Sequence, residues 1–186
     1  MPEIKETFEV PSEVHRVWEF FQDVSQVADC MPGVELGAEK DDKTYEGRMK
    51  VRVGPISANF QGQAQITDLD ESAQTGRIAA KGADRQGNSR ATATVSYQLS
   101  PAAVGTSVEV IADVKLQGAM AQFGRTGLIQ EVSSQLTKTF ASCLEGKLGA
   151  ATPEKAAEVS APEVQGLGLF FRSVWTWFRS LFRRKP

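Results

Sequence analysis

The stretch ATATVSYQL, residues 91–99, alternates small or apolar side chains at Ala91, Ala93, Val95, Tyr97 and Leu99 with polar ones at Thr92, Thr94, Ser96 and Gln98. Alternation of this kind belongs to a strand with one buried and one wet face. The same period extends outward in both directions. Upstream it covers Tyr45, Gly47, Met49, Val51 and Val53, then Ile56, Ala58, Phe60, Gly62, Ala64 and Ile66, then Ile78, Ala80 and Gly82; downstream it returns in Val108, Val110, Ala112 and Val114. Turn residues interrupt it at Asp41-Asp42, Gly54-Pro55, 70–72, Gly87-Asn88 and 101–105, so six strands are predicted between Val34 and Leu116.

Many of these inward positions are glycine or alanine. A sheet that curls around a tight core fills its concave face with large aliphatic side chains. A face lined by small residues therefore meets either a bulky helix or a space that holds a ligand. Both alternatives stay open at the level of sequence.

The flanks supply the helices. Residues 3–10 form a further alternating strand through Ile4, Phe8 and Val10, ending at Pro11. Ser12 is then predicted to cap a short helix with Val14, Val17, Trp18 and Phe21 on one side. A second short helix, Val24 to Asp29, stops at Cys30-Met31-Pro32-Gly33. After Leu116 an apolar or small residue at every fourth position, Met120, Gly124, Leu128, Val132, Leu136, Phe140 and Leu144, predicts one long helix to about Leu148. Gly118, Gly124 and Gly127 weaken its first third by up to about 1 kcal/mol each. That stretch either opens to admit another surface or makes a helix–sheet contact that needs small residues.

Residues 149–165, GAATPEKAAEVSAPEVQ, read as a flexible linker, with an end-to-end distance of roughly 20 to 25 Å as a random coil. Residues 166–186 form a separate amphipathic segment. Wound as a helix, Phe170, Phe171, Val174, Trp175, Trp177, Phe178, Leu181 and Phe182 fall within an arc of about 160°. Arg172, Arg179, Arg183 and Arg184 lie on the opposite face, and no acidic residue occurs in the segment. It is too short and too charged to span a bilayer. Aromatic residues backed by arginines suit a helix lying in a membrane interface, where each basic residue contributes about 1 kcal/mol near an anionic surface. The competing reading is a helix that docks in a protein groove.

Charge supports the division. The chain carries −2 in total and the tail +5, from Arg172, Arg179, Arg183, Arg184 and Lys185, leaving −7 on residues 1–165. A body this acidic argues against nucleic-acid binding. Cys30 and Cys143 fit neither a metal spacing nor a disulfide framework and are expected to be buried thiols in a reducing compartment. The chain starts directly in strand-like alternation with no apolar signal segment, so cytosolic synthesis is expected, with a membrane reached from its inner face. His15 is the single histidine, which rules out a histidine-rich metal site and a two-histidine mechanism. No nucleophile motif and no phosphate-cradling glycine loop is present, so no catalytic residue and no metal site is assigned.

The order of one strand, two short helices, six antiparallel strands and a long closing helix resembles the helix-grip fold of the START and birch-pollen-allergen superfamily. That fold is α+β, with a curved antiparallel sheet wrapped around the last helix. Within it the segments VHRVWEFFQDVSQVADCMPGVEL (14–36), VRVGPISANFQG (51–62) and GAMAQFGRTGL (118–128) are similar to the G-subunit family of carbon monoxide dehydrogenase. The resemblance covers most of residues 1–148, and the tail resembles that of family members with a membrane anchor.

The resemblance implies a non-enzymatic accessory protein for a molybdenum hydroxylase of the carbon monoxide dehydrogenase type, working at the inner face of the cell membrane. Respiratory quinone is too apolar to leave the bilayer without a container, at about 0.8 kcal/mol per buried CH₂. The reading is therefore a carrier with no covalent cofactor, which holds a quinone or other isoprenoid lipid. Met49, Val51, Phe60, Ala64, Ala93, Tyr97, Val110, Ala112, Met120, Phe123, Gly124 and Leu128 are its candidate lining residues, taken from alternation and from the glycine-rich part of the long helix. The alternative is an adaptor that anchors or assembles the dehydrogenase and binds no small molecule.

Overall fold

Alternating side chains fold here as one antiparallel sheet. The computed structural model describes residues 3–40, 43–53, 56–84, 86, 88–125, 128–150 and 159–160. Strand β1 (Glu3–Val10) leads into α1 (Val14–Gln22) and α2 (Val24–Cys30). A meander follows through β2 (Val34–Lys40), β3 (Thr44–Val53), β4 (Ile56–Asp70), β5 (Thr75–Asp84), β6 (Ser89–Ala102) and β7 (Gly105–Gln117). A 3₁₀ segment (Gly118–Arg125) and helix α3 (Leu128–Gly149) close the fold. The strand order is β1-β7-β6-β5-β4-β3-β2, so β1 closes one edge against the last strand and β2 forms the other edge.

Register decides which residues share a face. Directly opposed residues of an antiparallel ladder point the same way. Ala93 faces Ala80 on one side and Val114 on the other. Ala112 faces Ile4 and Val95, Ala64 faces Tyr45 and Ala80, and Met49 faces Phe60. The alternating set therefore lies on a single inner face. In β4 the phase would fail after Ile66, but a bulge between Ile66 and Asp68 restores it and brings Leu69 inward opposite Gly76.

A main core lies where α1, α2 and the C-terminal half of α3 meet the sheet. Val10, Val17, Val108 and Leu144 are fully excluded from solvent there, with Trp18, Phe20, Tyr97, Leu99 and Phe140 nearly so. Burial of a side chain such as Leu144 stabilises by about 2–3 kcal/mol. The aromatic rings meet edge to face, Phe140 lying 6.1 Å from Phe8, 6.4 Å from Phe20 and 5.8 Å from Phe21. A smaller core at the opposite end joins Ala58, Phe60 and Met120, flanked by Val51, Ala91 and Leu116.

Three expectations change. Cys30 and Cys143 are a disulfide, with Cα atoms 5.4 Å apart, and not free thiols. Their separation of 113 residues hid the pairing, because only the fold brings α2 onto α3. The cysteine-based argument for a reducing compartment falls with it, since disulfides persist in oxidising surroundings.

The single long helix after Leu116 is instead two pieces. Gly118 has φ +71°, and a Cβ there would sit 2.0 Å from the Asn88 carbonyl oxygen. The chain turns there, runs as 3₁₀ through Met120, and becomes α-helical only from Leu128. The third change is at α1, where Glu13 and not Ser12 occupies the cap position and makes no side-chain capping bond. The Ser12 carbonyl accepts a bond from Thr106 Oγ1 at 2.7 Å, tying the β1–α1 corner to β7.

The α2–α3 corner has further ties. Lys147, with a side chain only 2% exposed, places Nζ 3.0 Å from Asp29 Oδ2, and Arg16 donates to the Leu148 carbonyl at 3.0 Å near the end of α3. Within the stretch read as a linker, Val159 packs against the main core, 3.1 Å from where a Cβ on Gly146 would lie.

Candidate ligand-binding site

Between the two cores the inner face of the sheet is covered only in part. Met49 on β3, Ala64 and Ile66 on β4, Ala80 on β5, Ala93 and Val95 on β6, and Ala112 and Val114 on β7 all retain partial exposure. Among the described residues none of them belongs to either core. They form a band across five neighbouring strands. At strand spacings of about 4.8 Å and a rise of about 3.3 Å per residue, the trough measures about 20 Å across the strands and about 20 Å from Ala91 to Tyr97 along β6.

Small side chains set its depth. Ala64, Ala80, Ala93 and Ala112 sit where a larger aliphatic would fill the hollow. Gly62 and Gly82 oppose each other at its floor, so closely that a Cβ on Gly62 would lie 1.9 Å from the Lys81 carbonyl oxygen. The 3₁₀ segment covers one end through Met120, which is 5% exposed and donates its backbone N–H to Ser89 Oγ at 3.3 Å.

The candidate residues divide into floor and walls. Met49, Ala64, Ala93 and Ala112 lie in the uncovered band. Val51, Phe60 and Met120 belong to the smaller core or pack on it and form one end wall, whereas Tyr97 and Val110 belong to or pack on the main core and form the other. Phe123, Gly124 and Leu128 fall at the junction of the 3₁₀ segment with α3, where side-chain placement lies outside the described residues. The whole membrane-binding set, Phe170 to Arg184, also lies outside them.

Tyr97 is the polar group of the inner wall. It is 6% exposed and lies 4.8 Å from Phe21 and 6.4 Å from Trp18 between ring centroids. Burial raises its pKa above the ordinary tyrosine value, and the Gln22 side chain beside it partly offsets this, so the phenol is neutral at physiological pH.

A second concavity carries no sequence signal, because it joins residues of unremarkable type from two successive connections, α1–α2 and β2–β3. This open cleft of about 540 Å³ lies between the α1–α2 joint and the β2–β3 hairpin, lined by Glu19, Gln22, Asp23, Val24, Ser25, Leu36, Gly37, Glu39 and Tyr45. Asp23 caps α2 by accepting from Gln26 N at 3.1 Å and Gln26 Nε2 at 2.8 Å. The Gln26 side chain chiefly, with the backbone N–H groups of Gln26 and Ser25, holds the Asp23 carboxyl below its usual range. Tyr45 donates to Glu39 Oε1 at 3.1 Å. His15 sits outside the cleft on the surface, 3.1 Å from Glu19. The described residues contain no cluster suited to a metal ion.

The family model for CoxG, the G-subunit of carbon monoxide dehydrogenase, matches residues 7–149, which take in the sheet from the middle of β1 onward and its closing helix. The chain belongs to the CoxG family. Solved structures agree on the CoxG fold. A conserved protein from Geobacillus kaustophilus superposes with a TM-score of 0.69 at 17% identity, over 80% of this chain and 95% of that one. Protein Ms6760 from Mycobacterium smegmatis gives 0.57 at 18% identity, over 81% and 92%. The Zhui aromatase/cyclase from Streptomyces sp. R1128 gives 0.54 at 16% identity, over 81% and 97%. At such identities the likeness establishes the helix-grip fold alone. Comparison with curated protein sequences yields no match.

Proposed function

We propose that this CoxG-family protein is a membrane-associated accessory protein that holds a lipophilic molecule, a respiratory quinone or related isoprenoid, in the trough. It carries that molecule between the membrane and a molybdenum hydroxylase of the carbon monoxide dehydrogenase type. The observation behind the proposal is the partly exposed apolar band between two separate cores. A sheet face of this size left wet is unfavourable at about 25 cal/mol per Å² of apolar area, and an apolar ligand removes that area from water.

The remaining parts follow from chain chemistry. The aromatic and arginine-rich segment 166–186 holds the protein at an anionic surface, and residues 160–165 give the body reach. Among the described residues no helix is long and apolar enough to cross a membrane. The inner face of the cell membrane is assigned from the partner enzyme that the family name implies, because the cysteines no longer argue for it.

The experiment is to fill the trough. Ala93→Phe and Ala112→Phe, made singly in the full chain, are expected to abolish quinone uptake while leaving the unfolding midpoint close to that of the parent. If both substitutions instead unfold the protein, the face is closely packed and the container reading is wrong.

A further inference from the structure

The outer face of the sheet, opposite the trough, is divided by charge. Lys81 on β5 faces Thr92, which in turn faces Lys115 on β7. Next along the strands Arg90 lies between Ala83 and Gln117, and Gln61 lies between Ala83 and Arg48. Lys50 and Arg52 follow Arg48 on the same side of β3. All six cations are exposed. Glu35 pairs with Lys50 and, at 3.8 Å, with Arg48, whereas Glu46 pairs with Lys40. Among the described residues no ion pair involves Arg52, Lys81, Arg90 or Lys115.

The other half of this face is acidic. Glu3 faces Asp113, Glu109 faces Thr7 and Gln98, and Glu9 faces Ser107, with Lys5 paired to Glu109 at 2.8 Å. Strand spacings of about 4.8 Å spread the cationic half over about 19 Å from β3 to β7. Lys81, Arg90 and Lys115 stand about 8 to 10 Å from one another, close to one Debye length at physiological salt, so their fields add.

The side chains between these cations are small or neutral, among them Ser57, Asn59, Gln61, Ala83 and Thr92. Protein–protein interfaces draw their affinity from buried aromatic and apolar anchors, which this surface lacks. It matches anionic lipid headgroups instead, which attract clustered lysine and arginine without a shaped pocket. Its position ties it to the trough. Arg52, Arg90 and Lys115 are chain neighbours of Val51, Ala91 and Leu116, which point to the inner face and pack on the smaller core with Met120. The cationic half therefore backs onto the end of the trough that Met120 covers.

Resting on the membrane association proposed above, we propose that the cationic half of the outer face docks on an anionic lipid bilayer. Residues 1–165 carry −7 overall, so this face does not recruit the protein; the tail recruits it and the face then orients it, acting at the high local concentration that tethering gives. The acidic half is repelled. The sheet tilts accordingly, and the Met120-covered end of the trough stands next to the headgroups.

The test reads the orientation of the body. Cys30 and Cys143 are joined to each other, so an introduced cysteine is the one free thiol for a fluorophore. Thr92→Cys places the dye between Lys81 and Lys115, and Gln98→Cys places it opposite Glu109, about 20 Å further along β6. Energy transfer to a headgroup-labelled lipid is measured for each full-length protein on phosphatidylcholine vesicles containing one-third phosphatidylglycerol. With the face docked the two dyes differ in height by up to about 20 Å, and transfer from Thr92→Cys is expected to exceed that from Gln98→Cys by roughly twofold. In a K81Q/R90Q/K115Q background the two are expected to become equal while the chain still sediments with the vesicles through its tail.

Equal transfer from the two positions in the parent background overturns the docking face and leaves an acidic protein surface as its occupant. A difference that survives the triple substitution overturns it as well, because the cations would not be what holds the body. Failure of the full chain to sediment with the vesicles removes the membrane reading and this inference together.

Discussion

The ring of Tyr97 fills the space above Gly76 on the adjacent strand: a Cβ at position 76 would meet Cζ and the phenol oxygen at 2.3 Å and Cε1 at 2.6 Å. Glycine is required there by the neighbour's side chain and not by its own backbone. Gly76→Ala is expected to displace the ring from Trp18 and Phe21 and to destabilise the fold by about 2 kcal/mol in urea titrations. In a Tyr97→Ala background the same substitution is expected to cost far less, giving a coupling well above about 0.5 kcal/mol. Additive effects would show that the two residues do not pack as one unit.

The disulfide makes a separate prediction. Cys30 and Cys143 enclose a long loop and tie α2 to α3 inside the main core. Closing so long a loop stabilises by about 4 to 5 kcal/mol when the native geometry accepts it. Unfolding of the parent with a strong reductant, and of the C30S/C143S variant without one, is expected to show the same loss. Equal midpoints for oxidised and reduced protein would mean that the link contributes nothing to the native state.

Asp23 and Tyr97 are two of the groups that make the stability depend on pH. The Asp23 carboxyl is held below the usual aspartate value of 3.8, mainly by the Gln26 side chain, so its contribution is present above that value and is lost as pH falls through the lower folded value. The Tyr97 phenol is raised above 10.0 by burial, so its contribution is present below pH 10 and is lost as pH rises through the folded value. Asp23→Asn keeps a capping oxygen and removes the titration. The difference in Tm between parent and Asp23→Asn is expected to shrink below about pH 4. Tyr97→Phe is expected to flatten the alkaline limb, and an unchanged alkaline limb in that variant would assign the loss to other groups.

For the tail the discriminating observation is co-sedimentation with anionic liposomes. The full chain is expected to bind and a chain ending at Gln165 to remain in the supernatant. Replacing Trp175 and Phe178 with serine is expected to weaken binding at all salt concentrations, whereas Arg179 and Arg183 matter mainly at low salt. Equal sedimentation of the two chains would mean that the tail does not bind membranes.

Local alternation made the sheet legible in sequence. Because the side-chain period of a strand is two, Met49, Ala64, Ala93 and Ala112 are placed on one face by counting, and the ladders put them there. Counting says nothing about what covers a face. That Val51, Phe60 and Met120 are sealed into one core while Ala93 stays open depends on where the 3₁₀ segment lands, and Gly118 controls that through a turn no periodicity reveals. Partners distant in sequence were equally hidden. The Cys30–Cys143 bond and the Lys147–Asp29 pair each join residues that only the closed fold makes neighbours. The bulge after Ile66 was invisible for a related reason, since it shows only against the partner strand.

If the body carries a lipid, the lipid should come away with the protein. Native mass spectrometry, with solvent extraction, on the full-length protein purified without detergent from cells that make respiratory quinones decides this. The expected spectrum holds a stoichiometric adduct with the mass of a quinone or another isoprenoid, lost on Ala93→Phe. A clean protein mass that also takes up no added quinone would contradict the carrier function and leave an adaptor working through its tail and outer surface.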